Sequence, residues 1–155
     1  MKTSISLVTV QLILALSFGK CAVAAEHSVA CSTLPPAVQQ KSKPMLEGSV
    51  VHGCVRDISI GKTTYELELL KDGRSRDITF DPDGNALEVE EQIDFASLPK
   101  PVAAAIQKEV GTDHLGKIES LTRGGTLISY ETAVARNGKR REIAFRPDGF
   151  AMKPD

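Results

Sequence analysis

The chain has no tryptophan, two tyrosines and five phenylalanines among its 155 residues. Tight inhibitory surfaces are anchored by Trp, Tyr and Arg, and so small an aromatic supply argues against one here. Neither sign of charge dominates, since 19 Lys and Arg stand against 20 Asp and Glu. A nucleic-acid binder would show a basic excess. His27, His52 and His114 are scattered without a shared metal-ligand spacing. There is no G-x-S-x-G turn, no phosphate-binding glycine loop, and no nucleophile with its base and orienting acid. The chain therefore reads as non-enzymatic and without a cofactor.

Long apolar runs are scarce too. The one present, residues 5–18, follows Lys2 and is too short to span a membrane. Small residues then offer a cut after Ala24 or after Ala25, so residues 1–25 read as a secretory signal peptide. Lys20 stands where a lipoprotein signal needs a small residue before Cys21. The expectation is a periplasmic or secreted chain with no stable membrane anchor. Without Lys2 and Lys20, 17 basic residues face 20 acids, a net charge of about −3.

Cleavage leaves Cys31 and Cys54 as the remaining cysteines. In an oxidising compartment an isolated pair is expected to form a disulfide. Closing that loop stabilises the fold by about 3 kcal/mol in the chain-entropy model. If cleavage follows Ala24, the mature chain opens Ala25, Glu26, His27. An amine, two amides and a third-residue imidazole suit square-planar Cu(II) or Ni(II). The plainer reading is a disordered terminus carrying an incidental histidine.

What the chain does have is a near-duplication. Residues 65–84 and 130–149 align without a gap at an offset of 65, with nine of 20 positions identical. The shared residues include Tyr65/Tyr130, Glu66/Glu131, Ile78/Ile143, Phe80/Phe145 and Pro82-Asp83-Gly84/Pro147-Asp148-Gly149. A fixed-period duplication points to one unit used twice. The expected fold is α+β, with two tandem repeats over residues 26–92 and 93–155. Each would be a short helix followed by a three- or four-stranded antiparallel meander.

The local signals fill in this plan. Val102, Ala105, Ile106 and Val110 make a helical stripe ended by Gly111. The corresponding helix after Leu34-Pro35 is broken by Pro44 and should be short or irregular. Strands are expected over residues 50–60 and 117–122, and around Tyr65 and Tyr130. Asp72-Gly73 and Asn137-Gly138 are strong hairpin turns. Short final strands should lie near residues 87–89 and 150–152, with the acidic stretch 88–98 joining the two units.

Two clusters invite a chemical reading. Asp81-Pro82-Asp83-Gly84 starts like a calcium loop but lacks the later ligands such a loop needs. Arg136, Lys139, Arg140, Arg141 and Arg146 form a basic run on the second hairpin. That run could meet an acidic partner. Equally, it could be the solvated face of an edge strand, where charge discourages aggregation.

With Leu34-Pro35, Leu98-Pro99, the two Tyr-Glu pairs and the twin Phe-x-Pro-Asp-Gly turns in view, the chain resembles the PepSY-like family of exported bacterial proteins, described as β-lactamase-inhibitor-like. The resemblance covers most of residues 34–152. It implies helices packed on antiparallel sheet, and protein binding that restrains a peptidase or other hydrolase outside the cytoplasm. The shortage of aromatics stands against β-lactamase-type inhibition. The leading expectation is an exported, non-enzymatic module that binds an extracytoplasmic protein or peptide. The alternative is a small-ligand or metal-responsive envelope protein.

Overall fold

In a computed structural model of the chain, residues 25–59 and 61–153 are described. The expected leader lies outside these residues, apart from Ala25. Among the described residues, nine strands make one antiparallel sheet in which spatial order equals chain order. They are β1 (Ala25–Ser28), β2 (Ser49–Ser59), β3 (Lys62–Lys71), β4 (Arg74–Phe80), β5 (Ala86–Ile93), β6 (His114–Arg123), β7 (Thr126–Arg136), β8 (Lys139–Phe145) and β9 (Ala151–Met152). Helix α1 (Pro36–Ser42) and helix α2 (Lys100–Val110) cross between strands.

This overturns the expected α+β arrangement of two tandem helix-plus-meander units. The fold is mainly β, a single sheet running through the middle of the chain. The reason lies at β5. Its alternation of Leu87, Val89 and Ile93 with Glu88, Glu90 and Gln92 is a strand pattern. The acidic stretch thought to be a joint is thus largely a central strand, paired with β4 on one side and β6 on the other. Neither half is left with an unpaired edge in the middle of the molecule. Of the two helices, α1 is only seven residues long and runs into a 3-10 turn at Lys43–Leu46, where Pro44 removes a backbone donor. Only α2 is a full-length helix.

Both hairpin turns are type I′, with Asp72/Gly73 at φ 52° and 77° and Asn137/Gly138 at φ 50° and 76°. Register then sorts side chains onto two faces. Tyr65 lies opposite Phe80, Leu67 opposite Ile78, and Ile78 opposite Val89. These residues, with Leu34, Val38 and Cys54, form one apolar cluster beneath α1. Tyr130 lies opposite Phe145, and Ile93 opposite Ile118. They join Val102, Ile106, Val110, Val134 and Ile143 in a second cluster beneath α2. Both helices therefore cover the same face of the sheet.

Cys31 and Cys54 are joined, with Cα atoms 5.3 Å apart. The bridge pins the segment before α1 to the middle of β2. Two turns are also tight, the first more so. A Cβ on Gly84 would lie 2.5 Å from the Ala37 carbonyl oxygen, and one on Gly149 would lie 2.8 Å from that of Pro101. Each Pro-Asp-Gly turn thus abuts the first turn of a helix, at a φ that suits glycine.

Candidate functional site

The second face of the sheet carries the polar half of each alternation. Cross-strand register sets Glu68 opposite Asp77, Asp77 opposite Glu90, and Glu90 opposite Leu121. A neighbouring row sets Gln92 opposite Glu119 and Glu119 opposite Glu131. Another sets Glu66 opposite Thr79 and Thr79 opposite Glu88. Carboxylates from five consecutive strands, β3 to β7, converge on this open face.

At its centre, oxygens of Asp77, Glu90 and Glu119 lie within 4.8 Å of one another. Burial, reinforced by the charges of Glu119, Glu66, Glu131 and Asp77, pushes the Glu90 carboxyl up to about 7. Burial raises Asp77 as well, with Lys117 opposing it. Lys117 Nζ sits 2.7 Å from Glu119 Oε1 and donates to Ser75 Oγ at 3.0 Å. Arg123 Nε pairs with Glu88 Oε1 at 2.8 Å, and the Ser129 hydroxyl donates to Glu131 at 2.6 Å. Lys117 and Arg123 answer only part of the acidic charge. Three carboxylate oxygens at this spacing have the chemistry to receive a hard cation or an ammonium group; one such group, that of Lys117, is already at Glu119.

Beside the triad is a hollow of about 500 Å³, lined by Glu90, Lys117, Glu119, Glu131, Glu142 and His114 among others. At the opposite end of the face, exposed Val50 stands across from exposed Leu70. The open face thus offers an acidic middle and a small apolar margin.

The basic run is divided by the pleat. Arg136, Lys139 and Arg141 share the helix side of the β7–β8 hairpin, and Arg140 faces the open side. Arg136 Nε binds Asp113 Oδ1 at 2.7 Å. Arg141 reaches Glu109 Oε1 at 2.9 Å and donates to the Glu109 carbonyl at 3.2 Å, at the C-terminal end of α2 where a cation is favoured. Arg146 lies at the β8–β9 turn, over the Phe150 ring at 5.2 Å and 3.2 Å from Asp148. Only four of the five basic residues are neighbours.

At the other end of the chain, Ala25, Glu26 and His27 belong to β1 and pair with Ile58, Asp57 and Arg56. Alternate residues of an edge strand turn their N–H toward the partner. A square-planar site at these residues would have to draw one of its two amides out of the ladder. Asp81 is engaged within its own turn, where Oδ1 accepts the Asn85 N–H and Oδ2 its amide, both at 2.8 Å.

Sequence reasoning missed the Asp77, Glu90 and Glu119 triad, because its members are brought together only by register across β4, β5 and β6. The available signal was the polar half of the strand alternation, which carries Glu at 66, 68, 88 and 90.

No protein-family model matches the chain, and no curated protein matches it either. Solved structures do. A candidate periplasmic protein of Bacteroides eggerthii superposes with a TM-score of 0.64 at 16% identity, covering 77% of this chain and 86% of that one. A DUF2874 family protein of Bacteroides uniformis gives 0.63 at 16%, over 77% and 86%. A BLIP-like protein of Bacteroides fragilis gives 0.57 at 19%, over 76% and 82%. At these identities the likeness is one of fold. No helix among the described residues is long and apolar enough to cross a membrane.

Proposed function

We propose that the protein is a non-catalytic periplasmic binding module that docks a basic segment of another protein on the open face of its sheet. The observation that carries this reading is the face itself. Both helices cover the opposite side, while carboxylates of β3 to β7 gather here with Lys117 and Arg123 among them and Arg140 at the β8 border. Charge complementarity selects a cationic occupant. The exposed Val50 and Leu70 pair adds a place for an apolar side chain at the margin. Fold neighbours described as periplasmic and BLIP-like support the compartment and a binding role by analogy. The PepSY-like resemblance points the same way, toward restraint of an extracytoplasmic hydrolase.

The chain has no tryptophan, so a Trp-tagged peptide reports its own binding by fluorescence. An extended peptide of alternating Lys and Val should bind, and its Gln counterpart should bind at least about tenfold more weakly. Raising the salt should weaken the Lys peptide selectively. Combined Glu68→Gln, Glu90→Gln and Glu131→Gln substitution should lower its affinity about tenfold or more. Equal binding of the Lys and Gln peptides would sink the reading.

A further inference from the structure

Among the described residues, the two edges of the sheet are built differently. On the first side, β1 covers residues 55–58 of β2, and the uncovered part of β2 contains a bulge at His52. A bulge twists an edge and spoils it as a template for another strand. On the last side, β9 covers only Ala144 and Phe145 of β8. Among the described residues, nothing pairs with the outward side of Lys139, Arg140, Arg141, Glu142 and Ile143. This free stretch runs in unbroken register with β7.

Its backbone is oriented for an added strand. The two-residue type I′ turn makes Arg136 and Lys139 a hydrogen-bonded pair, so Val134/Arg141 and Thr132/Ile143 are bonded pairs as well. The N–H and C=O groups of Arg140 and Glu142 therefore point away from β7. Lys139 and Arg141 stand on the helix side of the strand and Arg140 on the open side, all exposed. They line a hollow of about 580 Å³ together with Arg136. Arg140 is held only loosely, at 3.4 Å from Glu142.

We propose that the free edge of β8 accepts an acidic, extended segment of another protein as an added strand. Backbone bonds to Arg140 and Glu142 would supply the pairing. Acids at alternate positions would fall beside Lys139 and Arg141. The same three cations repel a second β8 edge, so the device rejects copies of itself while admitting its complement. This edge borders the acidic face, with Arg140 and Glu142 lining the hollow beside the triad, but its helix-side cations select the opposite charge.

The test uses the purified protein and a ten-residue peptide of alternating Glu and Val with a terminal Trp. Binding should be abolished when one alternate set of peptide amides is N-methylated and retained when the other set is. Lys139→Glu with Arg140→Glu should weaken binding about tenfold or more. Glu142→Pro removes one outward N–H at an edge position that tolerates proline, and should weaken it comparably. The Glu68/Glu90/Glu131 glutamine variant should bind the acidic peptide undiminished. Equal effects of the two methylation sets would overturn the proposal, as would indifference to the charge reversal. Concentration-dependent self-association blocked by Glu142→Pro would overturn it in favour of a second copy as the occupant.

Discussion

The two apolar clusters sit side by side on one sheet face, yet they are held differently. The cluster under α2 gathers Val102, Ile106 and Val110 from an eleven-residue helix. The cluster under α1 draws on Val38 as its single buried apolar residue from a seven-residue helix. The shorter helix contributes fewer buried apolar residues, and the first cluster has what the second lacks, the Cys31–Cys54 bridge. It also has the tighter turn-to-helix contact, Gly84 against Ala37 rather than Gly149 against Pro101. Covalent linkage and close backbone packing thus stand in for helix length.

The comparison breaks most directly in the cores. Phe80 is fully buried and Phe145 is 6% exposed. Phe80→Ala should cost about 4 kcal/mol and Phe145→Ala about 3 kcal/mol in denaturant unfolding. Because β5 joins β6, each variant should still unfold in one transition. Two separate transitions would mean that the clusters are independent after all. The next largest effect is confined to the first cluster. Cys31→Ser with Cys54→Ser should cost about 3 kcal/mol, and amide exchange should accelerate in β3 and β4 before β7 and β8.

The turns give a smaller, paired contrast. Gly84→Ala and Gly149→Ala each place a methyl against a helix backbone at positive φ, so both should lose about 1–3 kcal/mol. Gly84 should lose the more, and the reverse order of thermal midpoints would refute the asymmetry. The smallest effect belongs to the open face. Folded Glu90 keeps its proton to about pH 7, against 4.5 for an ordinary glutamate. Between these values the folded state binds more protons, so this group's contribution favours folding at low pH and is lost as pH rises through 7. Glu90→Gln should flatten that decline and leave the variant more stable at pH 8 by about 1–2 kcal/mol, after allowance for solvent screening.

Much of this was legible in local pattern. The Asx-Gly turns, the α2 stripe ending at Gly111 and the broken helix at Pro44 follow from nearest-neighbour chemistry, and the cysteine pair from the expected compartment and the count of cysteines beyond the leader. What local pattern does not carry is which edges meet. The pairing of Ile93 with Ile118 is decided by the need to satisfy two edges at once. The Glu-rich face of β5 disguised a central strand as a joint, because its acids belong to an open face rather than to a linker. The basic run read as one patch in sequence, but a period of two sent Arg140 to one side and Arg141 to the other. The acid triad lies beyond local reading for the same reason, its members being 42 positions apart from Asp77 to Glu119.

That every strand lies beside its sequence neighbour has a kinetic consequence. The sheet can grow by zipping, each new strand closing only a modest loop onto the one before it. Topologies dominated by such near-neighbour closures have low relative contact order and fold quickly for all-β proteins. No strand has to wait for a distant partner, and β8, next to last in the order, is the one left with room beside it among the described residues.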